Sequence, residues 1–264
     1  MYHTTTLDDF CFMRQGKILS GLTQDKVHLL QPVSLKEAAS GRALILIHGF
    51  ASSPAVYRLM LNQLTRYDAL FCPLLPGHGQ SLTDFATVTA ADWLAYIEQT
   101  FDDIAKNYQS VDVVGLSLGG LLACHLAKIK PVQNLYLLAP ALALNYIPFA
   151  SSFMVRLCRQ LGIQLISSRG GDILNNEHGE LTFKKLPIAC IHEIFQLVDH
   201  FKLTSFTNNT IVFLGKYDKV INNHKVQAMI ERLPNASTVW LEHSAHILPL
   251  DNDLQRIIDT LNLT

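Results

Sequence analysis

The protein has 264 residues and a mass of 29.5 kDa, a length that accommodates one or two domains of roughly 150 residues each. Apolar residues make up 49% of the chain and charged residues 16%, and this balance excludes an intrinsically disordered protein. The 21 basic and 22 acidic residues give a net charge of -1. Capture of nucleic acid by a broad basic surface is therefore not expected.

The cysteines and the amino-terminal segment indicate the compartment. Five cysteines are widely spaced and form no CxxC pair, so reduced thiols are expected rather than a disulfide scaffold or a zinc site. The first residues include Asp8 and Asp9, where a secretory signal would be basic and then apolar. Polar residues and prolines interrupt every apolar stretch before it reaches the about 20 residues that cross a bilayer. We expect a cytoplasmic protein without stable membrane insertion.

Short apolar runs alternate with amphipathic segments past residue 40. Before that point we predict only one or two edge strands, near residues 10–14 and 26–31. The apolar runs predict six buried strands, at 43–47, 69–75, 111–116, 135–139, 210–214 and 238–241. Helical patterns lie at 54–66, 90–107, 118–129, 187–201, 222–233 and 251–262. This alternation predicts a mostly parallel sheet with flanking helices.

One interval breaks the alternation. Residues 141–186 show no strand of sheet length and are too many for an ordinary loop, which is typical of a lid or a binding segment. We therefore predict a cap insertion at 141–186 after the strand at 135–139, with residues 1–140 and 187–264 forming the core. Phe149 and Phe153 are candidates for the wall of a substrate pocket. The alternatives are packing within the cap itself and a membrane-surface helix.

In the sequence GLSLGG, Ser117 directly follows the third predicted strand and directly precedes a predicted helix. A serine with glycines two positions to either side, at a sharp turn from strand to helix, is typical of a nucleophile elbow. The helix amino terminus behind Ser117 supplies free N–H groups and a positive dipole. Ser117 is thus the candidate nucleophile. The alternative is a glycine-bracketed turn with an incidental serine.

A nucleophilic serine needs a base, and the base needs an acid that orients it. Asp218 follows the fifth predicted strand and His246 follows the sixth, so both are expected at the same edge of the sheet as Ser117. The alternatives are a turn aspartate and a loop histidine. His243 is the nearest competitor as base, and a metal site at His243 and His246 would need further ligands that the sequence does not obviously offer.

Acyl transfer also needs two N–H donors directed at the developing oxyanion. The backbone N–H of Leu118, directly after the candidate nucleophile, is one. The N–H of Phe50 is the other, because Gly49 permits a turn after the first long strand. We interpret His48 as a brace for this loop, and the PGHG turn that contains His78 as part of the pocket floor rather than a second base.

Six segments carry a resemblance to a known family: GRALILIHGF, LLPGHG, TAADW, VVGLSLGG, FLGKYDKVI and HSAHILPLD. From about residue 41 onward the chain resembles the bacterial carboxylesterase and monoacylglycerol lipase branch of the α/β-hydrolases. The resemblance implies an α/β-hydrolase fold with a small cap, and it implies these roles: Ser117 as nucleophile, Asp218 as acid, His246 as base, and the Phe50 and Leu118 amides as oxyanion donors. The chain departs from that branch at Ala245, where glycine is usual, and in its longer start.

These observations predict hydrolysis of small-molecule carboxylic esters with small to medium, mostly apolar acyl groups. No metal or organic cofactor is expected. The same residues could serve a thioesterase or an acyltransferase. A ligand-binding protein on the same scaffold is the alternative from a different class, because fold does not fix function.

Overall fold

The computed structural model describes residues 6–36, 40–145, 153, 155–158, 160–203 and 208–263. Its strands are β1 (Phe10–Arg14), β2 (Lys17–Gly21), β3 (Val33–Lys36), β4 (Arg42–Ile47), β5 (Ala69–Cys72), β6 (Ser110–Leu116), β7 (Asn134–Leu138), β8 (Leu165–Ser167), β9 (Glu180–Phe183), β10 (Lys185–Pro187), β11 (Asn209–Gly215) and β12 (Ala236–Leu241). Its α-helices include α1 (Leu82–Thr87), α2 (Ala90–Ala105), α3 (Leu118–Ile129), α4 (Ile188–His200), α5 (Asn223–Ile230) and α6 (Leu254–Leu263).

The main sheet contains seven of the described strands, in the order β12-β11-β7-β6-β4-β5-β3. Neighbouring strands are parallel, except that β3 runs antiparallel to β5. The order reverses at β4, because β5 lies on one side of it and β6 on the other. In such a sheet the crevice at the carboxyl ends of the strands is the favoured ligand site. The loops that follow β4 and β6 meet at this crevice.

Local sequence signals explain the long helix α2. The Thr89 hydroxyl accepts a hydrogen bond from the Asp92 N–H, and the Asp92 carboxylate accepts one from the Thr89 N–H, which forms a capping box. Trp93, Ile97 and Phe101 then recur at helical spacing and lie buried in the core. Within the described ranges, no helix has both the length and the apolar character needed to cross a lipid bilayer.

A second, antiparallel sheet joins the amino-terminal segment to the chain after β7. Its described strands lie in the order β2-β1-β9, with residues 10–13 paired to residues 180–183. The strand expected near 10–14 is therefore present as β1. The expectation that residues 141–186 hold no strand of sheet length is wrong, because β9 pairs with β1 and all four of its residues are buried. Two of those four residues are polar, so the apolar pattern of a buried strand is missing.

The expectation of an edge strand near residues 26–31 is also wrong. Residues Gln24–Leu30 form a 3₁₀ helix in which only Leu30 is buried, and β3 occupies the edge of the main sheet instead. The strand expected at 69–75 ends at Cys72. Pro73 follows, and a proline has no N–H with which to continue the ladder.

The helix expected at 54–66 consists of two short 3₁₀ segments, Pro54–Tyr57 and Leu61–Gln63. Both the backbone N–H and the guanidinium of Arg58 donate to the carbonyl of Ala55. An α-helix would require that carbonyl to accept from the fourth residue along the chain. Apolar spacing alone could not reveal this competition for a backbone acceptor.

A buried ion pair ties β4, β6 and β7 together near the amino-terminal ends of the strands. One carboxylate oxygen of Asp112 accepts from Nε and Nη2 of Arg42, at 2.9 and 2.5 Å, and from the Tyr67 hydroxyl at 3.0 Å. The other oxygen accepts from the backbone N–H and the side-chain amide of Asn134, both at 3.1 Å. The Asp112 side chain is fully buried, and these donors replace the water that it loses.

We expect Asp112→Ala to lower the free energy of unfolding by about 3–5 kcal/mol, because it leaves the Arg42 guanidinium without its carboxylate partner. Urea unfolding measures this change. Asp103→Ala is the matched control, since it removes an exposed ion pair with Lys106 and should leave the unfolding midpoint close to wild type. Equal midpoints for the two variants would contradict the prediction.

Candidate active site

Ser117 lies at the turn from β6 into α3. Its backbone has φ 53° and ψ -113°, which is a strained conformation for a residue with a side chain. Helix α3 approaches β4 so closely that a Cβ on Gly119 would lie 2.0 Å from the carbonyl oxygen of Ile47. A Cβ on Gly115 would lie 2.2 Å from the Gly119 carbonyl oxygen. The two glycines therefore allow the turn that presents the serine at the carboxyl end of the sheet.

The structure brings three of the predicted side chains together. His246 Nε2 lies 2.9 Å from Ser117 Oγ, and His246 Nδ1 lies 2.7 Å from Asp218 Oδ2. Ser117 and His246 are buried, and the Asp218 side chain has no exposed surface. When Nδ1 carries the proton and donates a hydrogen bond to Asp218, Nε2 is free to accept the proton of the serine.

Backbone N–H groups fix the Asp218 carboxylate. Its Oδ1 accepts from the N–H of Val220 at 2.7 Å and of Ile221 at 2.9 Å, which directs Oδ2 toward His246. His243, the competing base, is exposed, and its backbone N–H donates to Asp253. In the part of the chain that the structure describes, no three His, Cys, Asp or Glu side chains are grouped in a way that could hold a metal ion.

Burial and neighbouring charges act on His246 in opposite directions. Burial lowers the pKa of its imidazole, whereas the charge and hydrogen bond of Asp218 and the charges of Asp172 and Glu180 raise it. The carboxylates outweigh burial, so the pKa of His246 is raised above its ordinary value of about 6.5. The site thus stabilises the imidazolium that forms when His246 accepts a proton.

The two predicted oxyanion donors flank Ser117. Leu118 is the first residue of α3, where the N–H has no acceptor within the helix. Phe50 lies in the loop after β4, and this loop lies against Ser117, because a Cβ on Gly49 would be 3.4 Å from the Ser117 Cβ. Within the described residues, neither N–H donates a hydrogen bond to the protein. Both groups are available to a ligand.

His48 braces the loop that carries Phe50. Its Nε2 accepts from the Leu75 N–H at 3.0 Å, and its Nδ1 lies 2.9 Å from the Gly49 carbonyl oxygen, to which it donates. Burial lowers the pKa of His48 to about 4, so the ring is neutral at neutral pH. This geometry agrees with the interpretation of His48 as a loop brace.

His78 holds the other side of the same loop. Its Nε2 accepts from the Ala51 N–H at 3.0 Å, and its Nδ1 lies 3.1 Å from the Pro76 carbonyl oxygen. Burial, together with the neighbouring His48, lowers its pKa well below the ordinary value. Both nitrogens are occupied by backbone groups, which leaves none to act as a second base.

A cavity of about 360 Å³ opens onto Ser117 and His246. Residues 168–172, Glu180 and Thr182 supply most of its polar lining. Its apolar lining comes from Phe50, Leu144, Ile166, Leu186, Ile191, Ile194, Phe195, Val220 and Ile247. The volume and the apolar wall suit a short hydrocarbon group next to Ser117.

The cavity wall differs from the one expected from the sequence. Phe149 lies outside the described residues. Phe153 is 57% exposed and is not among the residues that line the cavity. Side chains of α4, including Phe195, form that wall instead. The sequence predicted this helix, expected at 187–201, as part of the core and not of the wall of the pocket.

Two acidic residues near the site were missed by sequence reasoning. The backbone carbonyl of Asp172 accepts from the N–H groups of His246 and Ile247. Glu180 lies in the same cavity lining and is almost fully buried, and burial raises the pKa of its carboxyl group. Both lie in the polar stretch GDILNNEHGE, which has no periodicity that would place them. The pairing of β9 with β1 brings Glu180 to the site, and hydrogen bonds with the loops after β11 and β12 place Asp172 there.

The comparisons with known proteins agree with this architecture. A model of the alpha/beta hydrolase family matches residues 44–260. The chain belongs to this family. A thermostable monoacylglycerol lipase from Bacillus sp. (strain H-257) is 27% identical over 224 residues, which cover 82% of this chain and 87% of that protein. A carboxylesterase from Bacillus subtilis (strain 168) is 20% identical over 86% of this chain and 93% of its own length.

A solved structure supports the same alpha/beta hydrolase fold. It comes from work on LipS and LipT, two metagenome-derived lipolytic enzymes, and has a TM-score of 0.77 at 21% identity. The match covers 88% of this chain and 95% of that one. At this identity the likeness concerns the fold alone.

We expect the reactivity of Ser117 toward a fluorophosphonate to rise with pH, with a midpoint above about 6.5, because only neutral His246 accepts the serine proton and its pKa is raised. The rate of covalent modification across the range of about pH 5 to about pH 9 measures this. His246→Ala should abolish the pH-dependent rate, whereas His243→Ala, at an exposed histidine, should keep it. A midpoint below the ordinary histidine value would contradict the prediction.

Proposed function

We propose that this protein hydrolyses carboxylic esters of small molecules through an acyl-enzyme on Ser117. The observation that carries the proposal is the hydrogen-bonded series of Ser117, His246 and Asp218, with distances of 2.9 and 2.7 Å. Two relatives that match over most of this chain are named monoacylglycerol lipase and carboxylesterase. Their names support an ester bond as the target.

The first half of the proposed reaction forms the acyl-enzyme. His246 takes the proton from Ser117 while the serine oxygen bonds to the ester carbonyl carbon. Asp218 keeps the Nδ1 proton in place and stabilises the imidazolium. The tetrahedral intermediate then breaks its bond to the alcohol oxygen, and His246 returns the proton to that oxygen as the alcohol leaves.

The second half releases the acid. A water molecule attacks the acyl carbon while His246 accepts one of its protons, and the serine oxygen leaves and regains a proton from the same histidine. In both halves the N–H groups of Phe50 and Leu118 donate to the oxyanion. Such preformed donors stabilise the charge that develops in the transition state.

We also propose that residues 141–186 form a cap over the core made of residues 1–140 and 187–264. Ile166 in β8 and Leu186 in β10 belong to this segment and line the cavity beside Ser117. The apolar wall favours a small to medium hydrocarbon acyl group. The proposed mechanism requires no metal or organic cofactor.

We expect Ser117→Ala to lower kcat by on the order of a million-fold, because it removes the hydroxyl that is hydrogen-bonded to His246. Hydrolysis of a short p-nitrophenyl ester measures the loss, and circular dichroism checks that the variant folds. Ser237→Ala, at an exposed serine of β12, is the control and should retain full activity. Retention of more than about a tenth of the activity by Ser117→Ala would rule out this nucleophile.

The division of the acyl group between water and other acceptors distinguishes this proposal from its alternatives. With an added simple alcohol as competing acceptor, we expect the free acid to remain the main product. Predominant transfer to the alcohol would indicate an acyltransferase, and a strong preference for a matched thioester would indicate a thioesterase. If fluorophosphonate modifies no serine, the protein is instead a ligand-binding protein on the same scaffold.

We expect Phe195→Ala to reduce the preference for longer acyl chains while changing turnover of the shortest ester little. Each buried methylene contributes about 0.8 kcal/mol, or roughly a fourfold gain in kcat/KM per methylene until the wall is reached. A series of p-nitrophenyl esters of increasing length measures this. Phe153→Ala is the matched control, since that ring is exposed and lies outside the cavity lining. A profile altered by Phe153→Ala but not by Phe195→Ala would refute this assignment of the wall.

A further inference from the structure

Asp172 contacts both loops that carry the proposed acid and base. Its Oδ2 accepts a hydrogen bond from the N–H of Lys219 at 3.0 Å, directly after Asp218. Its backbone carbonyl accepts from the N–H groups of His246 at 3.0 Å and Ile247 at 3.1 Å. One residue therefore fixes the loop after β11 and the loop after β12 relative to each other.

The position of Asp172 is itself fixed by the residues before it. The Gly171 N–H donates to Oε2 of Glu180 at 2.8 Å, and the Glu180 side chain is buried in β9. Gly171 has φ 71°, and a Cβ there would lie 2.2 Å from the Met13 carbonyl oxygen. Only glycine allows this close contact with β1.

The amino-terminal hairpin, formed by β1 and β2, also supports Asp172. The N–H groups of Gln15 and Gly16, at the turn between β1 and β2, donate to the carbonyls of Gly171 and Gly170. The Gln15 side-chain amide donates to the Ile173 carbonyl at 3.3 Å. Backbone bonds on both sides of Asp172 thus tie it to a hairpin that lies outside the main sheet.

We infer that Asp172 is a positioning residue that holds Asp218 and His246 in hydrogen-bonding register, and that the amino-terminal hairpin supports it. The inference depends on the proposed function, because it assigns Asp172 to that reaction. It also gives residues 10–21 a role in the site. A displacement of about 1 Å between reacting groups lowers a rate by about a hundredfold, so a clamp on two loops has a measurable effect.

The carboxylate of Asp172 also contributes charge near His246. The charged groups that act on the imidazole are Asp218 after β11, Asp172 before β9 and Glu180 in β9, and Arg58 in turn faces Glu180. Removal of the Asp172 charge should therefore lower the pKa of His246. The effect of the hydrogen bond to Asp172 can be separated from the effect of its charge. An asparagine keeps an acceptor for the Lys219 N–H but has no charge.

Three variants test the inference. Asp172→Ala should lower kcat for a short ester by about 10- to 100-fold with little change in KM, because the acid and base lose their alignment. Asp172→Asn should restore most of kcat and move the acid limb of the pH profile to lower pH. Asp92→Ala is the matched control: it removes an exposed carboxylate that caps α2 and is not among the residues that line the cavity, and it should lower the melting temperature without changing kcat.

An NMR readout keeps the test independent of turnover. The proton that His246 Nδ1 shares with Asp218 should give a far-downfield resonance in wild type and in Asp172→Asn, and this resonance should be lost or shifted in Asp172→Ala. If Asp172→Ala keeps both that resonance and the wild-type kcat, and loses only stability as Asp92→Ala does, the inference is wrong. A wild-type protein that shows the resonance but no Ser117-dependent turnover would instead overturn the proposed function alone.

Discussion

The site depends on the close approach of helix α3 to strand β4. This approach places Gly119 against the Ile47 carbonyl and forces Ser117 into a positive φ. The same contact brings the loop after β4 next to the serine, so that the N–H groups of Phe50 and Leu118 flank it. A larger side chain at position 119 would separate the two elements and would displace the proposed nucleophile and one proposed oxyanion donor together. The backbone geometry of this contact therefore determines where the reacting groups of the proposed site lie.

Three buried histidines near the site differ in pKa because their partners differ. His48 and His78 bond only to backbone groups, so burial lowers the pKa of each and keeps each ring neutral. His246 is equally buried but faces carboxylates, and its pKa is raised. His48 and His78 can therefore bridge backbone segments permanently, whereas His246 can gain and lose a proton. Burial alone does not determine the role of a histidine; its hydrogen-bond acceptor does.

The sequence predicted the main sheet well because its strands are continuous apolar runs and its elbow has a specific glycine spacing. It also predicted Ser117, Asp218 and His246 as neighbours, since parallel strands end at one edge. It failed where tertiary contacts replace periodicity. The strand Glu180–Phe183 is buried on both faces yet half polar, and Asp172 lies in a polar stretch without a pattern. Neither position could be inferred before β1 and β9 were seen to pair.

The central claim is that Ser117 carries the acyl group during ester hydrolysis. Rapid acid quench of the enzyme during turnover of a short p-nitrophenyl ester, followed by mass spectrometry of its peptides, tests this most directly. The account predicts a burst of p-nitrophenol and one acyl group on the peptide that contains Ser117. Turnover with no acylated peptide, or with the acyl group on another residue, would contradict it.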